Sequence, residues 1–134
     1  MKPKILIVSA NYYKDISTGL EAAAGVALTL ASIKFKKIEV AGVFEIPVVI
    51  AKNIKKYDGF IALGCIIRGE TYHFEIISNE VTRKIMDLSV SLNKPIGFGI
   101  LTCENKKQAQ ERSSSYRNKG IESAKACLKI LLDE

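Results

Sequence analysis

The stretch Ile67-Arg68-Gly69-Glu70-Thr71-Tyr72-His73 holds residue types suited to proton and phosphate chemistry. Gly69 lets the backbone come close to a ligand. Glu70 and Thr71 open a predicted helix. The free N–H groups of a helix start, with the positive end of its dipole, form an anion site. His73 follows one turn in, and it is the only histidine of the chain. A histidine titrates near neutrality, so one placed here can move a proton on a ligand held at the helix start. Many helix starts bind no anion and a lone histidine is often structural, so this stretch by itself leaves both readings open.

Other candidates are spread along the chain. Glu45, in Gly42-Val43-Phe44-Glu45-Ile46-Pro47, can accept hydrogen bonds from ligand hydroxyls or simply favour the start of the next helix. Tyr12 and Tyr13 offer aromatic faces to a planar ring, although a tyrosine at such a position often packs on its own helix. Phe98 reads as core by default. Arg112 and Lys119 are cations whose default is solvated surface.

Positioning these residues requires strands that end where they begin. Ile5–Val8, Ile38–Val43, Phe60–Ile67 and Ile96–Leu101 are rich in Ile and Val and bounded by Gly, Pro, Lys or Asp. They read as strands buried on both faces of a sheet. Helices are predicted from about Ser17 to Ser32, with Ser17 or Thr18 as N-cap, and after Pro47 at a first helical position. Others span Thr71 to Leu92, Lys106–Ser113 and Ile121–Leu131. This alternation specifies an α/β fold, a four-stranded parallel sheet with helices on both faces. Ligands of such sheets bind beyond the carboxyl ends of the strands. Most of the residues singled out above fall there: Tyr12 and Tyr13, Glu45, and the Glu70–His73 segment.

Composition narrows the function. A hydrophobic fraction of 48% and a charged fraction of 25% exclude disorder, and the length suits one domain over residues 1–134. No apolar run is long enough for a membrane span, and Met1–Val8 lacks the features of a signal peptide. The expected location is the cytoplasm. Cys65, Cys103 and Cys127 form no C-x-x-C pair, so reduced, apolar cysteines are expected and no metal site. The net charge of +6 comes without a nucleic-acid-binding motif and reads as surface charge; a phosphate-bearing small substrate would still gain from a positive field.

Taken together, the segments resemble the lumazine synthase family over nearly the whole chain. They are Gly42-Val43-Phe44-Glu45-Ile46-Pro47, Ala62-Leu63-Gly64-Cys65-Ile66-Ile67-Arg68-Gly69-Glu70-Thr71-Tyr72-His73-Phe74-Glu75, Pro95-Ile96-Gly97-Phe98-Gly99-Ile100-Leu101-Thr102, Gln108-Ala109-Gln110-Glu111-Arg112 and Asn118-Lys119-Gly120. The resemblance implies a flavodoxin-like three-layer sandwich. It also implies condensation of 5-amino-6-(D-ribitylamino)uracil with 3,4-dihydroxy-2-butanone 4-phosphate, without metal or organic cofactor. By resemblance, Glu70 and Thr71 present backbone N–H groups to the phosphate with Arg112, and His73 is the acid–base residue. Val43 and Glu45 hold the ribityl chain, with Phe44 and Ile46 beside them. Cys65, Ile66 and Ile67 line the pyrimidine pocket, and Tyr12 stacks on the ring. Phe98 and Lys119 reach in from a neighbouring subunit.

The chain departs from the family in two places. Ala10-Asn11-Tyr12-Tyr13 stands where the family commonly has Ala-Arg-Phe, and Val43 stands where it usually has Ala. The loop Ser113-Ser114-Ser115-Tyr116-Arg117 lacks the Gly-x-Lys-x-Gly of shell-forming members, so a homopentamer is expected over a sixty-subunit shell. Neither a nucleic-acid nor a membrane partner is expected. The altered first loop motivates one alternative, a catalytically silent relative that binds a flavin or lumazine.

Overall fold

Runs of Ile, Leu and Val form the strands, and the helices between them carry the chain back each time. The structure, a computed structural model, describes residues 2–69 and 73–132. Strands β1 (Lys4–Ala10), β2 (Lys34–Val40), β3 (Gly59–Ile67) and β4 (Ile96–Cys103) pair in the order β2-β1-β3-β4, with every neighbouring pair parallel. Parallel neighbours need long crossovers. These are α1 (Lys14–Leu30), then a 3-10 turn (Val43–Glu45) leading into α2 (Ile46–Lys52), and then α3 (His73–Leu92). Two more helices, α4 (Lys106–Ser114) and α5 (Lys119–Leu132), follow β4.

Alternation along the strands builds the three layers. Ile5, Ile7, Ile61, Leu63 and Leu101 meet Ile16, Leu20, Leu28 and Ala124 of α1 and α5, with Ala109 of α4. The alternate residues Leu6, Val8, Phe60, Ala62 and Ile100 meet Ile46 and Ile50 of α2 and Val81 and Ile85 of α3. The α/β sandwich expected from the sequence is the fold observed. No helix among the described residues is long and apolar enough to cross a membrane.

Helix α5 lies unusually close to β4. A Cβ built on Gly97 would stand 2.1 Å from the Ser123 carbonyl oxygen. Backbone cannot retreat as a side-chain tip can, so Gly97→Ala is expected to destabilise the fold by about 2–3 kcal/mol. Urea denaturation measures this, and an unchanged midpoint would show that α5 can shift away.

The largest departures from the sequence expectation are in β2 and α1. β2 occupies Lys34–Val40, not Ile38–Val43, and it is largely exposed instead of buried on both faces. It is an edge strand, where lysines are favoured, and residues 41–43 turn so that Val43 drops into the core. Helix α1 starts at Lys14 with no side-chain cap, and Ser17 Oγ instead donates to the Lys14 carbonyl (3.1 Å). At its other end, Ser32 takes a left-handed φ of 59°. Residues 71 and 72, expected in α3, lie outside the described residues.

The positive charge is gathered at one corner. Lys2, Lys4, Lys34, Lys36, Lys52, Lys55 and Lys56 are all exposed where β1 and β2 begin and α2 ends. Asp58 is the one acidic side chain in those segments. This corner lies at the amino ends of the strands, opposite the ends where ligands of such sheets bind.

Candidate active site

The carboxyl ends of β1 and β3, with the turn before α2 and the first turn of α3, enclose a depression of about 260 Å³. Tyr12, Tyr13, Gly42, Val43, Phe44, Cys65, Ile66, Ile67, His73 and Ile77 line it. Seven of the residues expected at the site, Tyr12, Val43, Phe44, Cys65, Ile66, Ile67 and His73, therefore converge although up to 61 positions separate them. The walls are mainly apolar, as a planar heterocycle requires. The His73 imidazole is exposed at the rim.

Two features shape the aromatic wall. The Tyr12 and Tyr13 rings meet edge to face, 5.0 Å between centroids. The half-buried Tyr13 ring lies under the Lys106 ammonium, 5.2 Å from its centroid, and Lys106 also pairs with Asp15 at 3.2 Å. Burial and the neighbouring Tyr12 push the Tyr13 phenol above its ordinary pKa. Tyr12 itself is 75% exposed, leaving its ring free to stack.

Cys65 is a wall and not a nucleophile. Burial, with Cys103 beside it, pushes its thiol up to about 12. At neutral pH it is therefore an uncharged apolar surface. Cys103 and Cys127 are also buried and free of disulfides, and burial raises both thiols, Cys127 to about 11. Among the described residues no group of three or more His, Cys, Asp or Glu side chains could hold a metal ion.

Glu45 and Ile46 sit beside the depression without lining it. The Glu45 carboxylate accepts the Gly42 N–H at 2.9 Å, closing its own turn, while Ile46 is fully buried beneath. Glu70 and Thr71 lie outside the described residues.

The remaining expected residues gather elsewhere. Phe98, Arg112 and Lys119 line a second depression of about 450 Å³, together with Ile100, Leu101, Thr102, Arg117 and Glu122. It borders β4, the other edge strand, and shares no lining residue with the first. Arg112, expected beside Glu70 and Thr71, thus stands with Phe98 and Lys119. Its Nη1 donates to the Gln108 carbonyl at 3.3 Å, and Lys119 pairs with Glu122 at 2.7 Å.

Asn118 organises this side. Its buried amide donates to the carbonyls of Ser113 (2.8 Å) and Gly19 (3.2 Å), and its oxygen accepts the Gly120 N–H (2.7 Å). Those bonds fix the turn that presents Arg117 and Lys119. Sequence reasoning did not single out Ile77 or Arg117. The spacing of Ile77 from His73, i to i+4 on one helix face, was the available signal for the first; Arg117 stands in a serine-rich loop that carries none.

Residues 2–133 match the family profile described as 6,7-dimethyl-8-ribityllumazine synthase. A protein of that name from Bartonella tribocorum is 49% identical over 131 residues, which cover 95% of this chain and 87% of the relative. Its namesake from Agrobacterium fabrum is 46% identical over 138 residues, covering 97% and 93% respectively. With the same α/β architecture and the family's motifs at the carboxyl ends of its strands, this chain belongs to the 6,7-dimethyl-8-ribityllumazine synthase family.

Proposed function

We propose that the two depressions are halves of one active site, completed between neighbouring copies, at which the family's reaction takes place. That reaction forms 6,7-dimethyl-8-ribityllumazine from 5-amino-6-(D-ribitylamino)uracil and 3,4-dihydroxy-2-butanone 4-phosphate, a transferase step of riboflavin biosynthesis. The carrying observation is the division of the expected residues into two groups on separate faces of the chain. A phosphate-binding Arg112 and an acid–base His73 can serve one substrate pair if the faces of two copies meet.

In this reading the pyrimidine stacks on Tyr12 against Ile66 and Ile67, with the ribityl chain toward Val43, Phe44 and Glu45. Glu70 and Thr71 hold the phosphate together with Arg112 of the neighbouring copy, and Phe98 and Lys119 of that same neighbour close the site. The 5-amino group attacks the ketone and water leaves, giving a Schiff base. A proton is lost next to it as phosphate departs. The enol so formed takes a proton at its terminal carbon and becomes a methyl ketone; the ribitylamino nitrogen attacks this new carbonyl, and loss of a second water closes the ring. His73 moves the protons, the anion site stabilises departing phosphate, and the enclosure holds both substrates in reach.

Exposed apolar side chains support assembly. Ile76, Met86 and Val90 stand out on α3, and Phe44 and Val48 on the neighbouring segment, surface that a second copy would bury. The ring is a homopentamer in this reading, since the α4–α5 loop lacks the shell-former's glycines. Three buried thiols free of disulfides suit a reducing cytoplasm, and residues 1–134 act as one domain. A catalytically silent flavin-binding relative is not favoured, because the relatives bear the synthase name.

Mixing both substrates with the protein tests the reading. Lumazine fluorescence should rise above the uncatalysed background, and His73→Ala should slow turnover by about 10- to 100-fold. That range is the lower part of general acid–base effects, because water can replace an exposed imidazole. A His73→Ala protein as fast as wild type would remove the histidine from the mechanism.

A further inference from the structure

Arg68 is the last described residue but one before the segment 70–72, and its contacts reach both sides of that segment. On the near side, its backbone N–H donates to the Cys103 carbonyl at 2.9 Å. From there the side chain spans forward. Nη1 bonds the Glu75 carboxylate in the first turn of α3, and the guanidinium lies over the Phe74 ring, 4.4 Å from the centroid. The third arm, Nε, donates to Glu104 Oε1 at 2.8 Å, in the turn between β4 and α4. One planar cation thus joins the end of β3, the start of α3 and the end of β4, with His73 directly before the two α3 residues it holds.

Exposed ion pairs contribute little to global stability. What this one fixes is geometry, because a guanidinium offers its donors in a rigid fork and a flat face for stacking at the same time. We propose that Arg68 is the positioning residue of the active site, setting the distance between β3 and the first turn of α3 and so the place of His73. This rests on the reaction assigned above. It goes beyond that assignment in giving the placement of His73 to a side chain that contacts neither proposed substrate.

The test pairs a kinetic readout with a structural one, using Arg68→Met, Arg68→Lys and, as a milder lesion, Glu104→Gln. In Arg68→Met, kcat is expected to fall about 10-fold and the KM of the butanone phosphate to rise several-fold. The KM of the ribitylaminouracil should stay within about twofold, because its wall of Tyr12, Ile66 and Ile67 is untouched. Arg68→Lys should behave like Arg68→Met, since a point charge keeps neither the fork nor the stacking. Glu104→Gln should fall between wild type and both. Amide hydrogen exchange in the first two turns of α3 should quicken about 10-fold in Arg68→Met while the β-sheet amides stay protected.

Unchanged exchange in the first two turns of α3 in a folded Arg68→Met protein would overturn the proposal. So would faster exchange with wild-type kcat, or a rise in both KM values in step with a fall in Tm. Failure of the assigned reaction itself would appear separately, as a wild-type protein that makes no lumazine, and the exchange comparison would still decide whether Arg68 sets the start of α3.

Discussion

Arg112→Ala is expected to lower kcat/KM for the butanone phosphate by about 30- to 100-fold, the worth of a charge-assisted bond to a phosphate oxygen. The ribitylaminouracil KM should change less than about threefold. The asymmetry is the informative part. Arg112 bonds the Gln108 carbonyl, reaches the Cys103 thiol and opens onto the second depression, where its guanidinium can meet an anion. Arg112→Lys should recover part of the loss, since a point charge keeps the attraction without the fork. Steady-state kinetics with each substrate varied in turn measures both values. Equal losses for the two substrates would make Arg112 a support of α4 and take the phosphate away from it.

Two damaged proteins should repair one another. His73 and Arg112 line different depressions, so a site between two copies draws one residue from each. His73→Ala and Arg112→Ala proteins, each slow alone, are to be dissociated, mixed in equal amounts and reassembled. If copies distribute at random in a closed ring, about a quarter of the interfaces combine an intact His73 with an intact Arg112. Activity should therefore return to about a quarter of wild type, far above either parent. No recovery after verified reassembly would mean that both residues act from the same subunit, and the shared site would have to be abandoned.

Much of this arrangement was legible in the residues. The β3 run from Phe60 to Ile67 is apolar at nearly every position, as a central strand covered on both faces must be, and its limits were read almost to the residue. The edge strand β2 was less legible, because Lys34 to Lys37 gives no apolar run and its partner is fixed only through the register with Lys4 to Val8. The start of α1 was missed for a related reason. Tertiary contacts, Lys14 with Glu39 and Asp15 with Lys106, hold its first turn where a capping serine was expected. At the site, the motif from Cys65 to His73 carried its own signal. That Arg112 stands with Phe98 and Lys119 and not with His73 depends on how β4, α4 and α5 pack, which no local spacing encodes. The role of Glu45 stayed between two readings in the sequence; its carboxylate bonds the Gly42 N–H of the preceding turn and makes no cap bond to α2.

The lysine-rich corner, where β1 and β2 begin, makes each chain electrically lopsided. On a negatively charged support, such as a cation-exchange resin at low ionic strength, the chain should adsorb by that corner. The carboxyl ends of its strands would then point away from the support, so immobilised protein would keep its first depression open to the surrounding solution, and salt would release it.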